Sequence, residues 1–88
     1  MTDDFLRAFD TLPIGTFTGT FHGHRYTVTR SRFCGGTSEK LVAEELGGTD
    51  TISLNLYRLD PPRLMPCEMS VAKVVDFVCD LQPDGRDH

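Results

Sequence analysis

The sequence lacks the features of several classes of protein. No window reaches the roughly 18 consecutive apolar residues that a membrane span requires. The opening stretch, MTDDFLRAFD, is acidic and lacks the basic-then-apolar pattern of a secretory signal peptide. The three cysteines are odd in number and form no CxxC pair, which argues against a disulfide framework. These absences predict a cytoplasmic protein with no membrane partner.

Common catalytic and phosphate-binding motifs are absent as well. The chain contains neither GxxxxGKS/T nor GxGxxG, the two glycine-rich patterns that cradle phosphates. It also lacks GxSxG and HExxH, which place a nucleophile or a zinc pair in hydrolases. We therefore expect no cofactor, and the sequence favours a non-enzymatic protein.

The composition is that of an ordinary globular chain. Its 88 residues leave room for one domain, and it is 39% apolar and 25% charged. We predict that residues 1–82 form this domain and that residues 83–88 form a flexible C-terminal tail. A core this small gives marginal stability, which self-association can raise, so a homodimer is one expectation.

Hydrophobic periodicity predicts a helix near each end of the chain. The first is short, with Thr2 as its cap, and ends before Pro13. The second is longer, begins after Ser70 as its cap, and stops at Pro83. Its apolar positions recur with the helical period: Val71, Val74, Val75, Val78 and Leu81.

From Thr16 the period changes to two and predicts a β-hairpin. His22-Gly23 fits a two-residue turn, because glycine accepts a positive φ. In this register one face carries the aromatic and apolar residues, and the other is polar. The predicted cross-strand pairs are Phe17 with Val28, Gly19 with Tyr26, and Phe21 with His24.

After Val28 this alternation would point Arg30 and Arg32 into the core and Phe33 away from it. An unpaired buried guanidinium costs far more than one extra residue in a strand. We therefore predict a β-bulge at residues 29–31 that buries Phe33 and moves both arginines to the polar face.

Residues 38–46, SEKLVAEEL, fit either a helix or a strand. A helix would place Glu44 and Glu45 at its C-terminal end, against the dipole. A strand pairs through a Gly47-Gly48 loop with the alternating residues 51–57, and we prefer it. The proline-containing segment that follows is expected to be irregular or an edge strand.

The predicted fold class is α+β. We expect a two-layer sandwich with a four-stranded antiparallel meander and both helices packed on one face of the sheet. The other face is predicted to be open, polar and rich in threonine.

The stretch from Thr11 to Ser38 contains no carboxylate, although the chain has 13 Asp and Glu against 9 Lys and Arg. Arginine forks bind carboxylate or phosphate, so this stretch predicts a site for a small anionic ligand or for an acidic protein or peptide partner. Alternatively, its arginines only keep an exposed sheet soluble. A net charge of −4 argues against nucleic acid. The candidate ligand-binding residues are Arg25, Thr27, Arg30 and Arg32.

Histidines and cysteines supply the weaker candidates. His22 and His24 suggest a metal pair, but zinc needs three or four ligands, and exposed turn histidines explain the pattern equally. Cys34 precedes a glycine pair, and Cys67 precedes the last helix. Either thiol would serve the alternative function, a small thiol-dependent redox enzyme or reductase, if a base lay nearby. The competing interpretation is that they are small apolar side chains.

Overall fold

The computed structural model describes residues 3–84, which form two α-helices, one short 3-10 helix (Cys34–Gly36) and six strands. The strands make one sheet with the order β5-β4-β3-β2-β1-β6, and all neighbours are antiparallel. The predicted α+β class is confirmed, but the sheet has six strands and not four. The predicted Thr2 cap lies outside the described residues. The elements are α1 (Asp3–Thr11), β1 (Gly15–Phe21), β2 (His24–Phe33), β3 (Ser38–Glu45), β4 (Thr51–Tyr57), β5 (Arg63–Pro66), α2 (Val71–Asp80) and β6 (Gln82–Pro83).

A single core lies between the two helices and one face of the sheet. Alternate residues of the central strands enter it, as expected for a sheet with one covered face. The strand at 38–45 is confirmed, and Leu41 and Ala43 pair with Leu54 and Ile52. Side chains that are fully buried in this core include Phe5, Phe9, Val28, Leu41, Ala43, Ile52, Leu54, Leu56, Val74 and Phe77.

Helix α2 begins as predicted and buries the predicted stripe apart from Val71, with Phe77 added to it. The Ser70 hydroxyl accepts a hydrogen bond from the Lys73 amide, which is the expected N-cap. Val71, however, is 50% exposed, and Phe77 is fully buried. Phe77 packs edge-on against the Tyr26 ring with centroids 5.0 Å apart, so the aromatic contact sets the rotation of the helix about its axis.

The predicted hairpin is confirmed in its register. Gly19 lies opposite Tyr26, and the turn residues His22 and Gly23 have φ values of 49° and 83°. Gly19 has a second role, because β6 crosses close to it. A Cβ atom at this position would lie 3.0 Å from the carbonyl oxygen of Gln82. Glycine therefore allows β6 to pair with β1.

The predicted bulge is wrong. The β2 ladder is continuous on both sides, from Gly15 opposite Arg30 to Phe33 opposite Ser38. Arg30 is consequently buried, with 2% exposure, and Phe33 is 50% exposed. The premise that a buried Arg30 would be unpaired fails, because Glu39 also points into the core.

Two edge strands complete the sheet. The short strand β5 agrees with the expected edge segment, whereas β6 was not expected, because two residues show no periodicity. Pro83 pairs with Gly19, and the Asp84 amide donates to the Thr18 carbonyl at 2.9 Å. The residues that pair with the sheet thus extend beyond the expected boundary at residue 82, and residues 85–88 lie outside the described part of the chain.

Candidate functional site: the open face of the sheet

The three candidate arginines do not share a face, so the predicted common surface is wrong. Arg25 and Thr27 have the parity of the open face, opposite to the buried Tyr26 and Val28. Arg30 and Arg32 have the parity of the helix-covered face. Regular alternation separates them, since no bulge intervenes.

Arg30 belongs to a buried network that joins the sheet to the end of α1. Its Nε donates to Glu39 Oε1 at 2.9 Å, and its Nη1 donates to the carbonyls of Phe9 and Leu12 at 3.1 and 2.5 Å. Arg58 Nε donates to the other oxygen of Glu39 at 2.9 Å. A cation that binds the last carbonyls of a helix stabilises that end. With its donors engaged in this way, Arg30 has a structural role and is not a ligand site.

Arg25 is held on the open face by a carboxylate from the far end of the described chain. Its Nη1 and Nη2 donate to the two oxygens of Asp84 at 2.7 and 2.5 Å. Asp84 also accepts from the Thr18 hydroxyl at 2.6 Å. The hydrogen bonds from Arg25 and then Thr18 hold the pKa of Asp84 far below its usual value. An incoming anion at Arg25 would have to displace this carboxylate.

The two histidines diverge to different carboxylates. His22 Nε2 lies 2.9 Å from Asp80 Oδ2, and His24 Nδ1 lies 2.9 Å from Glu45 Oε2. Within residues 3–84 no three histidine, cysteine or acidic side chains are grouped so as to hold a metal ion. The pair therefore ties the hairpin turn to α2 and to the end of β3.

A cleft of about 360 Å³ at this turn contains the ring of Tyr26 and the carboxylate of Asp50. Asp50 accepts from the Tyr26 hydroxyl at 2.7 Å and from Lys73 Nζ at 2.8 Å. The bond from Lys73, followed by that from Tyr26, lowers the pKa of Asp50. Burial, and then the bond to Asp50, raises the pKa of Tyr26. The cleft has no cysteine or serine among its lining residues.

The three cysteines lie in different surroundings. Cys34 is exposed in the turn after β2, and Cys67 is half-buried, with Asn55 Nδ2 at 3.6 Å from its sulfur. Cys79 lines a pocket with His22, but burial and then the charge of Asp80 raise the pKa of its thiol. His22 and His24 bond to Asp80 and Glu45, and within residues 3–84 neither ring makes a hydrogen bond to Cys34 or Cys67.

The acid-free stretch is therefore matched in space by carboxylates from other segments. Glu39, Glu45, Asp80 and Asp84 each approach one of its basic side chains. The strongest of these pairs is buried, and the others are exposed and individually weak. The missing carboxylates reflect folding partners supplied by later parts of the chain, and they do not mark a free cationic surface.

Two cations of the described residues, Lys40 and Arg63, lie in no ion pair. Among residues 3–84, every lysine and arginine side chain except Lys40 and Arg63 lies in an ion pair with a carboxylate. Both lie on the open face at the same end of the sheet. Arg63 is directly opposite Tyr57, and Lys40 is one row away, opposite Asn55. Cross-strand neighbours have Cβ atoms about 5 Å apart, and diagonal ones are roughly 7–8 Å apart.

Exposed apolar side chains surround these two cations. Phe33 lies opposite Ser38, which in turn lies opposite Tyr57. Met65 lies opposite Asn55 and is 46% exposed. Because none of these residues is in the predicted site, the sequence analysis missed this surface. Strict alternation of side chains along β2 and β3 would have placed Phe33 and Lys40 on the open face, and so would have revealed part of this surface. The set is called the open-face patch below and consists of Phe33, Lys40, Tyr57, Arg63 and Met65.

Apart from Val42, which lies between Thr29 and Ser53, the remainder of the open face is polar, as predicted. Threonines from β1 and β2 cover it, and the hydroxyls of Thr16 and Thr29 lie 3.0 Å apart. Glu44 is its exposed carboxylate, in a row with Thr27 and Thr51. The face thus has a basic, partly apolar end and a hydroxyl-rich end.

Comparison with known proteins does not assign the chain to a class: no family model, no curated protein and no solved structure matches it significantly. No described helix is long and apolar enough to cross a membrane. The function is therefore inferred from the side chains of the open face and their surroundings.

Proposed function

We propose that this protein is a small non-enzymatic binding module that docks an anionic ligand or an acidic protein surface on the open face of its sheet. The observation that supports this most directly is the position of Lys40 and Arg63. They are the cations of residues 3–84 without a carboxylate partner, and they flank Tyr57 on the face that no helix covers. This surface on β3, β4 and β5 replaces the hairpin surface that the sequence predicted.

Charge and composition both support docking at the open-face patch. A local positive field on an acidic protein steers anionic partners towards it and away from the rest of the surface. Interfaces are also enriched in aromatic residues, methionine and arginine, all of which this patch contains. Phe33 is 50% exposed and lies in the same cross-strand row as Tyr57, so the patch offers apolar surface next to its two cations.

The neighbouring edge of the sheet is unsuited to pairing with another strand, which favours docking on the face. The Cys67 amide donates to Ser53 of β4, so by alternation the amide positions at residues 62, 64 and 66 point away from the sheet. Residues 62 and 66 are prolines, which have no N–H. Only Leu64 can donate to an added strand, and proline at an edge is a known guard against strand addition.

The test is a titration of the isotope-labelled protein with hexaglutamate, followed by backbone NMR shifts. We expect shifts at the open-face patch that weaken as salt rises, because the contact is between exposed charges. The double variant Lys40→Gln, Arg63→Gln should lose most of the binding. Arg7→Gln is the matched control, since Arg7 is an exposed arginine on α1 whose partner is Asp4. Equal binding by the double variant and the control, or shifts confined to the helices, would contradict the proposal.

A further inference from the structure

We infer that the open-face patch selects a particular kind of acidic partner: a protein segment in which a carboxylate lies next to a large apolar side chain. This inference rests on the proposed function and specifies its partner. It is carried by a pocket in the sheet face at β4 and β5, directly beside the two free cations.

The pocket has a volume of about 460 Å³, within the range of small-molecule sites. Its walls are largely apolar, since the Tyr57 ring, Leu59, Met65 and Pro66 all line it. Leu59 is 54% exposed and Met65 is 46% exposed, so both present surface to an incoming group. A leucine or phenylalanine side chain that entered here would remove apolar area on both partners from water.

The polar part of the pocket lies on one side. Arg63 lines it and has no ion pair with residues 3–84, so its guanidinium is available to a carboxylate. Lys40 lies in the adjacent row, opposite the pocket residue Asn55. The Asn55 amide is already directed to the sulfur of Cys67 at 3.6 Å. An anion beside the apolar cavity would therefore meet Arg63, which lines it, with Lys40 in the adjacent row on β3.

This arrangement fits a protein segment better than the other anionic polymers. Single-stranded nucleic acid binds along a groove in which cations follow the phosphates and aromatic rings stack the bases. Here the cations are confined to one end, and the other end of the face carries Glu44 and the Asp84 carboxylate paired with Arg25. An apolar pocket with an adjacent carboxylate receptor instead matches an acidic segment with one apolar anchor.

The experiment compares two peptides of equal charge, Ac-EEFEE-NH₂ and Ac-EEAEE-NH₂, with the full chain by NMR titration. We expect the phenylalanine peptide to bind about tenfold more tightly, since roughly half of the ring becomes buried. Met65→Ser should remove this preference, whereas Arg63→Gln should weaken both peptides. Ile14→Ser is the control, because Ile14 is an exposed apolar residue outside the patch.

The outcomes separate the two proposals. If both peptides bind equally and depend on Lys40 and Arg63, the binding module stands and the apolar anchor is refuted. If neither peptide binds, both proposals fail. Tighter binding of oligo-dT than of either peptide would show a nucleic-acid surface. Sedimentation showing a dimer, with the patch residues protected from solvent in it, would show that a second copy is the occupant. Each of these two results overturns the inference.

Discussion

Replacing Arg30 with methionine tests how this fold uses its buried charges. Arg30 and Glu39 are each 2% exposed, and the Arg30 guanidinium also binds the carbonyls of Phe9 and Leu12. Methionine keeps the apolar stem but removes every donor. The substitution thus leaves Glu39 with the Arg58 guanidinium and leaves the end of α1 without its cation.

Removing one member of a buried ion pair costs about 3–5 kcal/mol, because the remaining charge stays in a poorly solvated site. Arg58 compensates part of this loss at Glu39, whereas the two released carbonyls add to it. We therefore expect Arg30→Met to cost about 3–5 kcal/mol. A chain of this size has a total stability of about 4–13 kcal/mol, so the variant should lose between about a quarter and all of its stability.

Urea denaturation followed by circular dichroism measures this loss. Arg32→Met is the matched control, because Arg32 is on the same strand and has the same parity. Arg32 is half exposed, and its Nε lies 3.9 Å from Glu39. This substitution should therefore cost less than about 1 kcal/mol of stability. The double variant Arg30→Met, Glu39→Met should recover at least about 1 kcal/mol relative to Arg30→Met, since it removes the uncompensated carboxylate. A cost below about 1 kcal/mol for Arg30→Met alone would refute the reasoning.

Three further predictions concern packing and pH. Gly19→Val should lower the urea midpoint by the equivalent of about 1–3 kcal/mol, because its side chain would press on β6, whereas Thr27→Val on the open face should have little effect. Val74→Asp should unfold the protein in a thermal melt, while Val71→Asp, one turn earlier and 50% exposed, should change stability by less than about 0.5 kcal/mol; equal losses would mean that the wrong face of α2 is assigned. The pKa of Asp50 is lower in the folded state than its unfolded value near 3.9, so the charged carboxylate stabilises the fold above that pH. This stabilisation is lost as the pH falls through the folded pKa. Thermal melts of the wild type and Asp50→Asn should therefore differ at pH 7 and converge in acid.

The hairpin shows what local patterning can predict. Alternation over residues 16–29 and a glycine at the turn leave one register in which both faces are consistent, and that register is the observed one. The strand at 38–45 follows for the same reason, since its alternation matches that of residues 51–57. These features depend on neighbours in sequence, so the sequence alone was sufficient to predict them.

The bulge shows where local reasoning failed. The cost of burying Arg30 was assessed without a partner, although Glu39 has the same inward parity as Leu41 and Ala43 in its own strand. An inward carboxylate and an inward guanidinium on adjacent strands should have suggested a buried pair. Once Arg30 is paired, the ladder needs no extra residue, and Phe33 moves to the open face.

The sequence by itself therefore determined the α+β class, the hairpin and the alternation of the central strands, because periodicity and turn chemistry act over a few residues. Only the tertiary structure decided which charges are neutralised and which remain free. Arg25 meets Asp84 across 59 positions of sequence, and β6, which brings Asp84 there, is too short to show a pattern. Lys40 and Arg63 can be recognised as free only when the ion pairs of the other cations are known. Those pairs join residues that are distant in sequence, so they depend on the whole fold.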